Sequence, residues 1–386
     1  MKLCTVSGSR AEFFILKNLI LKIQNEKKFK NYFIVTGSHT SQIFGNTIND
    51  IKNNKVKISS IIKTNFKDDK PNHIANYLGD GIKEFSNKFT KIKPDLLLVL
   101  GDRYEIYAAV IAAYLARIPI AHIYGGETTQ GSLDEGIRHS ISKLSNIHFV
   151  STKKHLKRLE QLGENKKYIF NIGSLGVEAL IKNKGLPTQS LEKELKIKFN
   201  KKNILMTFHS ETVLGEKENI KNLNILLNCL KRLKDTSIII TTPGADHYFN
   251  SIQSSLKKFN LRNKNVFLFK SLGHDYYFSI CKKVDFMIGN SSSGIIEMPS
   301  FNKGTINVGN RQLGREQARS VINIKFSENS IMNGIKKIYS RKFKKILKNV
   351  DNPYEKKNSL LNIIKILKGL KIKNLQYKKF NDIKIK

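Results

Sequence analysis

The stretch PDLLLVLGDRYEIYAAVIAAYLARIPIAHIYGGETTQGSLDEGIRHSISKLS, residues 94–145, decides the fold. Two apolar runs, Leu96 to Leu100 and Ile118 to Ile123, each end in a glycine-containing turn and each lead into a helix-like segment. This alternation predicts a parallel sheet with helices on its faces. Because the carboxyl ends of parallel strands share one edge, the polar residues that follow both strands are expected to meet there.

The same alternation extends over most of the chain. Further apolar runs that end in turns occur at 3–6, 32–35, 147–150, 168–173, 203–208, 237–242, 266–269, 285–290 and 304–309. A Lys-rich polar run near 185–200 separates the two groups and is interpreted as a linker or as the entry to the second domain. After the loop NRQLGREQARS, only helices are expected.

These patterns predict an α/β fold of two Rossmann-like doubly wound domains that face a central cleft. We place the N-terminal domain, with the acidic cluster described below, at 1–180 and the C-terminal domain at 181–350. A basic helical tail at 351–386 is expected to dock back onto the protein as a helix.

Composition limits the class of protein. At 386 residues and 40% hydrophobic content, the chain can bury two ordinary cores. No apolar run approaches the roughly 18 residues of a membrane span, and the start lacks the features of a secretory signal. Cys4, Cys229 and Cys281 lie far apart in apolar surroundings, so we expect reduced core cysteines in a cytoplasmic protein.

The net charge of +37, from 68 Lys and Arg against 31 Asp and Glu, would suit a nucleic-acid or membrane-surface binder. However, the lysines are spread along the whole chain, without zinc-finger spacing, RNA-binding aromatic patterns or basic heptads. We therefore predict neither nucleic acid nor membrane as a partner. A non-enzymatic polyanion-binding protein remains an alternative, and such a field would also attract an anionic small substrate.

The segment NSSSGIIE, residues 290–297, lies between a predicted strand and a helix. Backbone amides and hydroxyls there are expected to hold a diphosphate, and Glu297 to bind ribose hydroxyls. The candidate diphosphate ligands are Ser291, Ser292, Ser293 and Gly294. The alternative is an ordinary serine cap of a helix. Two arginines are candidate sources of positive charge: Arg10, at the start of the first helix, and Arg311, in the loop NRQLGREQARS.

Four carboxylates follow the two strands of the deciding stretch: Asp102, Glu127, Asp134 and Glu135. At one sheet edge they would repel each other unless a proton or a cation is shared, which suggests acid or base chemistry. Helix stability is the alternative explanation, because Ser132 and Glu135 fit a capping box. Asp134 with Arg138 and Glu135 with His139 likewise have i,i+4 spacing.

Two histidines follow strands and are further candidates. His209, in TFHSET, is expected to face the cleft from the second domain, and His39 follows a strand of the first. The histidines and cysteines show no HExxH or CxxC spacing, so we predict no metal and no cofactor.

Together, GSRAE, LGDRYE, HIYGGETTQGSLDEGIRHSISKLSNIHF, TFHSET, GNSSSGIIEMPS and INVGNRQLGRE resemble the hydrolysing UDP-N-acetylglucosamine 2-epimerases, from the first strand to about Ser320. The similar subgroup supplies N-acetylmannosamine, or a diacetamido-trideoxy analogue, for sialic or legionaminic acid. The resemblance implies the two-domain GT-B-like fold shared with a large class of glycosyltransferases, with UDP held mainly by the second domain. It also implies a dimer or tetramer.

The resemblance also implies the reaction: anti elimination of UDP to a 2-acetamidoglucal, followed by addition of water with inversion at C2. Asp102, Glu127, Asp134 or Glu135, and His209 then form the catalytic set. Some relatives carry an acid immediately before GG, where this chain has Tyr124. The non-hydrolysing relatives carry a longer Arg-rich motif after the histidine, where this chain has SET. UDP-N,N'-diacetylbacillosamine is the alternative substrate, and a glycosyltransferase of the same fold is the alternative enzyme.

Overall fold

The structure, a computed structural model, describes residues 1–41, 47–64, 68, 70–130, 133–243, 248–375 and 377–382. It contains two compact units. The first comprises Met1–Glu127, Asp134–Glu178 and Lys356–Lys386, and the second comprises Thr128–Leu133 and Ala179–Glu355. The N-terminal domain was predicted to end at 180 and the C-terminal domain at 350, whereas the units change at 178 and 355. In addition, Thr128–Leu133 is grouped with the second unit, and Lys356–Lys386 of the predicted tail with the first.

The first unit is built on a parallel sheet. Its seven strands are β1 (Lys2–Ser7), β2 (Lys30–Val35), β3 (Ser60–Ile61), β4 (Leu96–Leu100), β5 (Ile120–Ile123), β6 (Ile147–Val150) and β7 (Ile169–Asn171). They are ordered β3-β2-β1-β4-β5-β6-β7. Neighbouring strands are parallel throughout, for example Leu97 of β4 beside Ile120 of β5.

The second unit contains a parallel sheet of its own. Its strands are β8 (Lys202–Thr207), β9 (Thr236–Thr241), β10 (Val266–Phe269), β11 (Phe286–Gly289), β12 (Gly304–Val308) and β13 (Val321–Ile324). The order is β10-β9-β8-β11-β12-β13. Both sheets thus have the doubly wound topology that the alternation predicts.

Helices connect the strands. In chain order they are α1 (Arg10–Gln24), α2 (Ile48–Asn53), α3 (Pro71–Ile92), α4 (Tyr104–Leu115), α5 (Asp134–Leu144), α6 (Lys153–Gln161), α7 (Leu175–Lys182), α8 (Thr188–Leu195), α9 (Glu216–Lys231), α10 (Phe249–Arg262), α11 (Gly273–Lys283), α12 (Ser293–Ile296), α13 (Glu328–Ile338), α14 (Arg341–Leu347) and α15 (Ser359–Gly369). Short 3-10 turns lie at Gly37–Thr40, Lys166–Tyr168, Met298–Phe301 and Ile372–Leu375.

Each sheet is covered on both faces, which explains why its strands are apolar without alternation. In β4, Leu96 and Leu98 join the core that contains α1 and α15. Leu97 and Val99 join the core on the opposite face, with α3 and α4. Because successive side chains of a strand point to opposite faces, most residues of a doubly covered strand are apolar, and polar ones such as His122 and His148 are buried with hydrogen-bond partners.

Two elements differ from the sequence expectation. The region after the loop NRQLGREQARS was expected to contain only helices, and this is wrong, because β13 adds an edge strand beside β12. Its four residues alternate between the core and solvent, too short a pattern to distinguish from a helix end. The Lys-rich run, interpreted as a linker or a domain entry, is not a plain linker, because it contains α8, whose Leu191 is completely buried in a core of the second unit, as a domain entry would be.

The C-terminal tail docks onto the first unit, as expected. Ile363, Ile364 and Leu367 of α15 are buried in the same core as α1. Beyond it, Lys378 contacts the buried carboxylate of Glu164 at 2.6 Å. Cys4, Cys229 and Cys281 are all buried. Within the described parts of the chain, no helix is long and apolar enough to cross a membrane.

Candidate functional site

In each sheet the direction of strand progression reverses once, between β1 and β4 and between β8 and β11. Ligands of open α/β sheets bind beyond the carboxyl ends of the strands at such a switch point. In the first unit this position is occupied by Ser9, Arg10 and Asp102. In the second it is occupied by His209 and by the loop that begins at Asn290. Arg10, Asp102, His209 and Ser291 therefore follow the strands at the two switch points, whereas Glu127, Asp134 and Glu135 follow the neighbouring strand β5 and Arg311 follows β12.

Arg138, on α5, is the centre of the acidic cluster in the first unit. Its Nε donates to Asp102 Oδ2 at 2.7 Å, and its Nη1 lies 3.3 Å from Glu135 Oε2. Nη1 also donates to the backbone carbonyl of Glu127 at 3.2 Å. The side chain of Arg138 is only 6% exposed. The guanidinium is thus a cation shared by the carboxylates, whereas the sequence indicated only a local helix pair for it.

The electrostatics of this cluster hold Arg138 charged. Burial alone would lower the pKa of its guanidinium, but the charges of Asp102 and Glu127 outweigh burial and raise that pKa above its ordinary value. A buried charge is tolerated only when it is paired and hydrogen-bonded. The cluster therefore fixes its carboxylates around one cation that does not titrate near neutral pH.

Asp134 and Glu135 begin α5 and are partly exposed. Oε1 of Glu135 lies 3.3 Å from Nε2 of His139, which is the predicted i,i+4 pair. The predicted capping box also requires Ser132, which lies outside the described residues. Asp134 and Glu135 thus lie at the helix start that carries Arg138.

Glu127 is buried, and its Oε1 accepts a hydrogen bond from Ser151 Oγ at 2.7 Å. Ser151 Oγ is in turn 3.0 Å from Nδ1 of His155. Neither Ser151 nor His155 was among the sequence candidates. Ser151 directly follows β6, so its position at the carboxyl edge of the sheet was an available signal.

Tyr124 occupies the position where some relatives carry an acid. Its hydroxyl accepts from the backbone N–H of Leu175 at 2.8 Å and lies 3.0 Å from Ser174 Oγ, at the start of α7. Burial raises the pKa of the phenol above its ordinary value. The hydroxyl therefore anchors α7, and it is poorly suited to exchange protons with a substrate near neutral pH.

Arg10 begins α1, and its Nε lies 3.3 Å from Asp50 Oδ2 with about a third of each side chain exposed. The preceding residues form a full capping box, in which Ser9 caps the backbone N–H of Glu12 and Glu12 bonds back. Oε2 of Glu12 accepts from the N–H groups of Gly8 and Ser9 at 2.7 and 3.2 Å. The loop that presents Arg10 is thus held by the buried carboxyl group of Glu12.

Glu105 lies against the same loop. A side chain at Gly8 would bring its Cβ within 2.1 Å of Glu105 Cγ, so only glycine fits there. Burial, followed by the charge of Glu105, raises the pKa of Glu12 from 4.5 to about 8. Glu12 therefore keeps its proton at neutral pH in the folded protein.

This proton predicts a pH dependence of stability. Glu12 releases its proton near pH 4.5 when unfolded and near pH 8 when folded. The folded state then binds more protons between these values, so the free energy of unfolding falls as pH rises through this window. We expect Glu12→Gln to remove this loss, on the order of a few kcal/mol, because its side-chain oxygen can still accept from Gly8 and Ser9.

Urea unfolding at several pH values between 5 and 8, followed by far-UV circular dichroism, measures the difference between the wild-type protein and Glu12→Gln. The matched control is Glu84→Gln, at an exposed position of α3, with an effect within about 0.5 kcal/mol. Parallel pH curves for wild type and Glu12→Gln would contradict a protonated Glu12.

In the second unit, Asn290 organises the switch point. Its Oδ1 accepts from the backbone N–H of His209 at 2.7 Å, and its Nδ2 donates to the backbone carbonyl of His209 at 2.8 Å. The backbone carbonyl of Asn290 accepts from Arg311 Nη1 at 3.2 Å and from Gln312 Nε2 at 2.9 Å. One fully buried asparagine thus connects the His209 loop, the serine loop and the Arg311 loop.

The serine loop follows β11. Tyr277 donates to Ser293 Oγ at 2.5 Å, and Ser293 donates to the carboxylate of Glu297. Desolvation raises the pKa of Glu297. Ser292 makes no side-chain hydrogen bond that caps α12, but Ser291 Oγ accepts from the backbone N–H of Ser293 at 3.3 Å, so the helix-cap alternative still applies to Ser291. Ser291 and Ser292 are partly exposed.

Packing against β12 by itself requires a glycine at position 294, and the contact of Gly294 with a diphosphate stays a prediction. A Cβ there would lie 2.5 Å from Cγ2 of Thr305 on β12, and Thr305 Oγ1 donates to the Gly294 carbonyl at 2.6 Å. His39 also differs from expectation. It is buried between Ser7 Oγ at 2.9 Å and Thr47 Oγ1 at 2.8 Å, and burial lowers its pKa to about 4. His39 is therefore a neutral residue of the interior.

No group of three or more His, Cys, Asp or Glu side chains in the described ranges is arranged to hold a metal ion. The site in the first unit contains a carboxylate cluster around one arginine. The site in the second unit contains hydroxyls, a histidine and an arginine. Such groups are suited to acid–base chemistry and to anion binding, respectively.

Comparison with known proteins gives a consistent result. The family model described as UDP-N-acetylglucosamine 2-epimerase matches residues 21–368. Polysialic acid biosynthesis protein P7 of Escherichia coli is 37% identical, over 99% of this chain and 97% of that protein. GDP/UDP-N,N'-diacetylbacillosamine 2-epimerase (hydrolyzing) of Campylobacter jejuni is 40% identical, over 89% of this chain and 88% of that protein.

Among solved structures, UDP-GlcNAc 2-epimerase from Neisseria meningitidis bound to UDP-GlcNAc matches with a TM-score of 0.80 and 21% identity, over 95% of this chain and 99% of that one. This likeness confirms the predicted two-domain, GT-B-like α/β fold. The family match over most of the sequence and the two relatives confirm the resemblance seen in the motifs. The chain belongs to the UDP-N-acetylglucosamine 2-epimerase family.

Proposed function

We propose that this protein is a hydrolysing UDP-N-acetylglucosamine 2-epimerase that supplies N-acetylmannosamine for nonulosonic acid synthesis. The reaction consumes UDP-N-acetylglucosamine and water and yields UDP and N-acetylmannosamine. In the first step a base removes the C2 proton while the C1–O bond to UDP breaks, which leaves 2-acetamidoglucal. In the second step water adds at C1, and C2 receives a proton on the face opposite to the one deprotonated.

The observation that carries the proposal is the arrangement around Arg138 at the first switch point. Both steps need groups that take and give protons at one carbon, and carboxylates held in fixed geometry are suited to this. Asp102 and Glu135 are fixed by Arg138, and Glu127 by Arg138 and Ser151. We assign acid and base work to these three and to Asp134, without dividing the two roles among them.

The second unit is assigned to UDP. Departure of UDP places negative charge on the diphosphate, which positive groups and hydroxyl donors stabilise in the transition state. Arg311 and the hydroxyls of Ser291 and Ser292 are suited to that task, with Arg10 as a further cation from the first unit. Glu297 is assigned to the ribose hydroxyls. His209, held at its backbone by Asn290, completes the catalytic set.

The non-hydrolysing relatives carry an Arg-rich motif after this histidine, whereas this chain has only SET after His209. This difference supports hydrolysis rather than reversible epimerisation of the nucleotide sugar. Glu211 of this sequence is buried, and its Oε1 accepts from the backbone N–H of Asn310 at 3.0 Å. It therefore holds the Arg311 loop. The Campylobacter relative, whose name includes "hydrolyzing", supports the same interpretation.

A second candidate keeps the reaction and changes the sugar. The same relative is named for N,N'-diacetylbacillosamine and is 40% identical to this chain. UDP-N,N'-diacetylbacillosamine differs from UDP-N-acetylglucosamine at C4 and C6, away from the carbons that react. The catalytic groups assigned above would act on either sugar in the same way.

A proton NMR time course in D₂O tests both candidates. The enzyme is incubated separately with each nucleotide sugar, and release of UDP and deuterium at C2 are followed. We expect free manno-configured N-acetylhexosamine with deuterium at C2 from UDP-N-acetylglucosamine, and the faster of the two sugars identifies the substrate.

Other outcomes decide against the proposal. UDP release without deuterium at C2 would indicate simple hydrolysis or glycosyl transfer, which is the glycosyltransferase alternative. No turnover of either sugar, together with polyanion binding that weakens steeply with salt and ignores UDP, would favour the polyanion-binding alternative.

A further inference from the structure

The hydrogen bond from Ser151 to Glu127 is the first of a buried chain, and the next residue of that chain, His155, has no role in the proposed mechanism. Glu127 Oε1 accepts from Ser151 Oγ at 2.7 Å, and Ser151 Oγ lies 3.0 Å from His155 Nδ1. Ser151 and His155 are each 1% exposed, and Glu127 is 5% exposed. Two polar side chains, Ser151 and His155, are therefore buried in series behind the carboxylate of Glu127.

The direction of the chain follows from its chemistry. A serine hydroxyl carries one proton, and this proton points to the carboxylate, which can only accept when ionised. Ser151 Oγ must then accept from His155, so Nδ1 of His155 carries its proton in this arrangement. The order of donation is His155 to Ser151 to Glu127, and each donor strengthens the next bond.

The backbone around the chain is equally constrained. His155 lies in the first turn of α6, where its N–H is capped by Thr152 Oγ1 at 3.2 Å. The carbonyl oxygen of His155 would lie 2.6 Å from a Cβ on Gly126, which adopts φ +74°. The loop that carries Glu127 thus packs directly on α6, and Arg158 donates to the Gly126 carbonyl at 2.5 Å.

We propose that Ser151 and His155 are positioning residues that orient the carboxylate of Glu127 for proton transfer at C2 of the sugar. This inference rests on the proposed function and deepens it, because it assigns a role to residues that do not touch substrate. Burial of a serine and a histidine costs free energy unless both are bonded. A packing role alone would be filled at lower cost by apolar side chains.

The test uses Ser151→Ala and His155→Gln in the D₂O assay with the preferred nucleotide sugar. We expect kcat and the rate of deuterium incorporation at C2 to fall by roughly 10- to 100-fold, because a displaced catalytic group loses its alignment. KM should stay within about twofold, since both residues are buried and neither is assigned to binding UDP or the sugar. Ser151→Thr keeps a hydroxyl and is expected to recover most of the activity.

His148→Gln is the matched control. This histidine is also 1% exposed and lies on β6, but its Nε2 is bound to Glu164 at 2.9 Å. The His148→Gln variant should have a lower free energy of unfolding than the wild type, and kcat of its folded fraction should be unchanged. In addition, Ser151→Ala should lower kcat much less in a Glu127→Gln background than in the wild type, because both changes remove the same oriented carboxylate.

The outcomes separate the two proposals. A wild-type protein that turns over neither sugar overturns the proposed function and this inference together. If the wild type is active and Ser151→Ala has an unchanged kcat, the positioning role alone is overturned. The same follows if Ser151→Ala lowers kcat equally in the wild-type and the Glu127→Gln backgrounds. Equal losses from His148→Gln and His155→Gln would also overturn it, since they would indicate a general effect on folding.

Discussion

Replacement of Asp102 by asparagine is expected to lower kcat by about 10²- to 10⁴-fold, the usual contribution of a positioned acid or base. Asp102 follows β4 at the switch point and is held by Nε of Arg138 at 2.7 Å. Its side chain keeps 22% exposure, so it is accessible to a substrate although it is paired. Asparagine has nearly the same shape but cannot exchange a proton.

The measurement is steady-state UDP release with the preferred nucleotide sugar, together with deuterium at C2 of the product. Asp95→Asn is the matched control, because Asp95 lies just before the opposite end of β4, where it accepts from the backbone N–H of Lys2 at 2.7 Å. It should keep kcat near that of the wild type. A folded Asp102→Asn variant with wild-type activity would remove Asp102 from the catalytic set.

The fold was largely predictable because its information is local. The strands of both sheets are buried on two faces, so they appear as short apolar runs that end in turns. The runs at 96–100, 147–150 and 266–269 coincide with β4, β6 and β10. β13 was missed because an edge strand of four residues has no such signature.

The candidate site was predictable only in part. The carboxyl ends of parallel strands identify which loops meet, and this argument singled out Asp102 and Glu127. It could not identify the partners, because these depend on side-chain geometry. Arg138 was assigned to a neighbour on its own helix, whereas its tightest bond reaches Asp102, 36 residues earlier. Ser9 and Glu12 have the spacing of a capping box, but the sequence does not indicate that Glu105 lies close to Glu12. Nor does it indicate the contact between Ser151 and Glu127, which are 24 residues apart.

Replacement of Arg138 by methionine is expected to lower the free energy of unfolding by about 3–5 kcal/mol, the usual cost of removing one member of a buried ion pair. The methionine fills much of the same volume, so the loss is electrostatic. The substitution removes the donor that the carboxylates of Asp102 and Glu135 share with the backbone carbonyl of Glu127. Urea unfolding followed by far-UV circular dichroism measures the loss.

Two comparisons isolate the pair as the cause. Arg232→Met removes an exposed pair with Glu328 at 2.9 Å, with exposures of 56% and 48%, and should cost no more than about 1 kcal/mol. In the double variant Arg138→Met with Asp102→Asn, the buried negative charge of Asp102 is also removed. The double variant should therefore be more stable than the sum of the single losses predicts, by about 0.5–3 kcal/mol. Strictly additive losses would mean that Arg138 stabilises the protein through packing, and the acidic cluster would then need another source of positive charge.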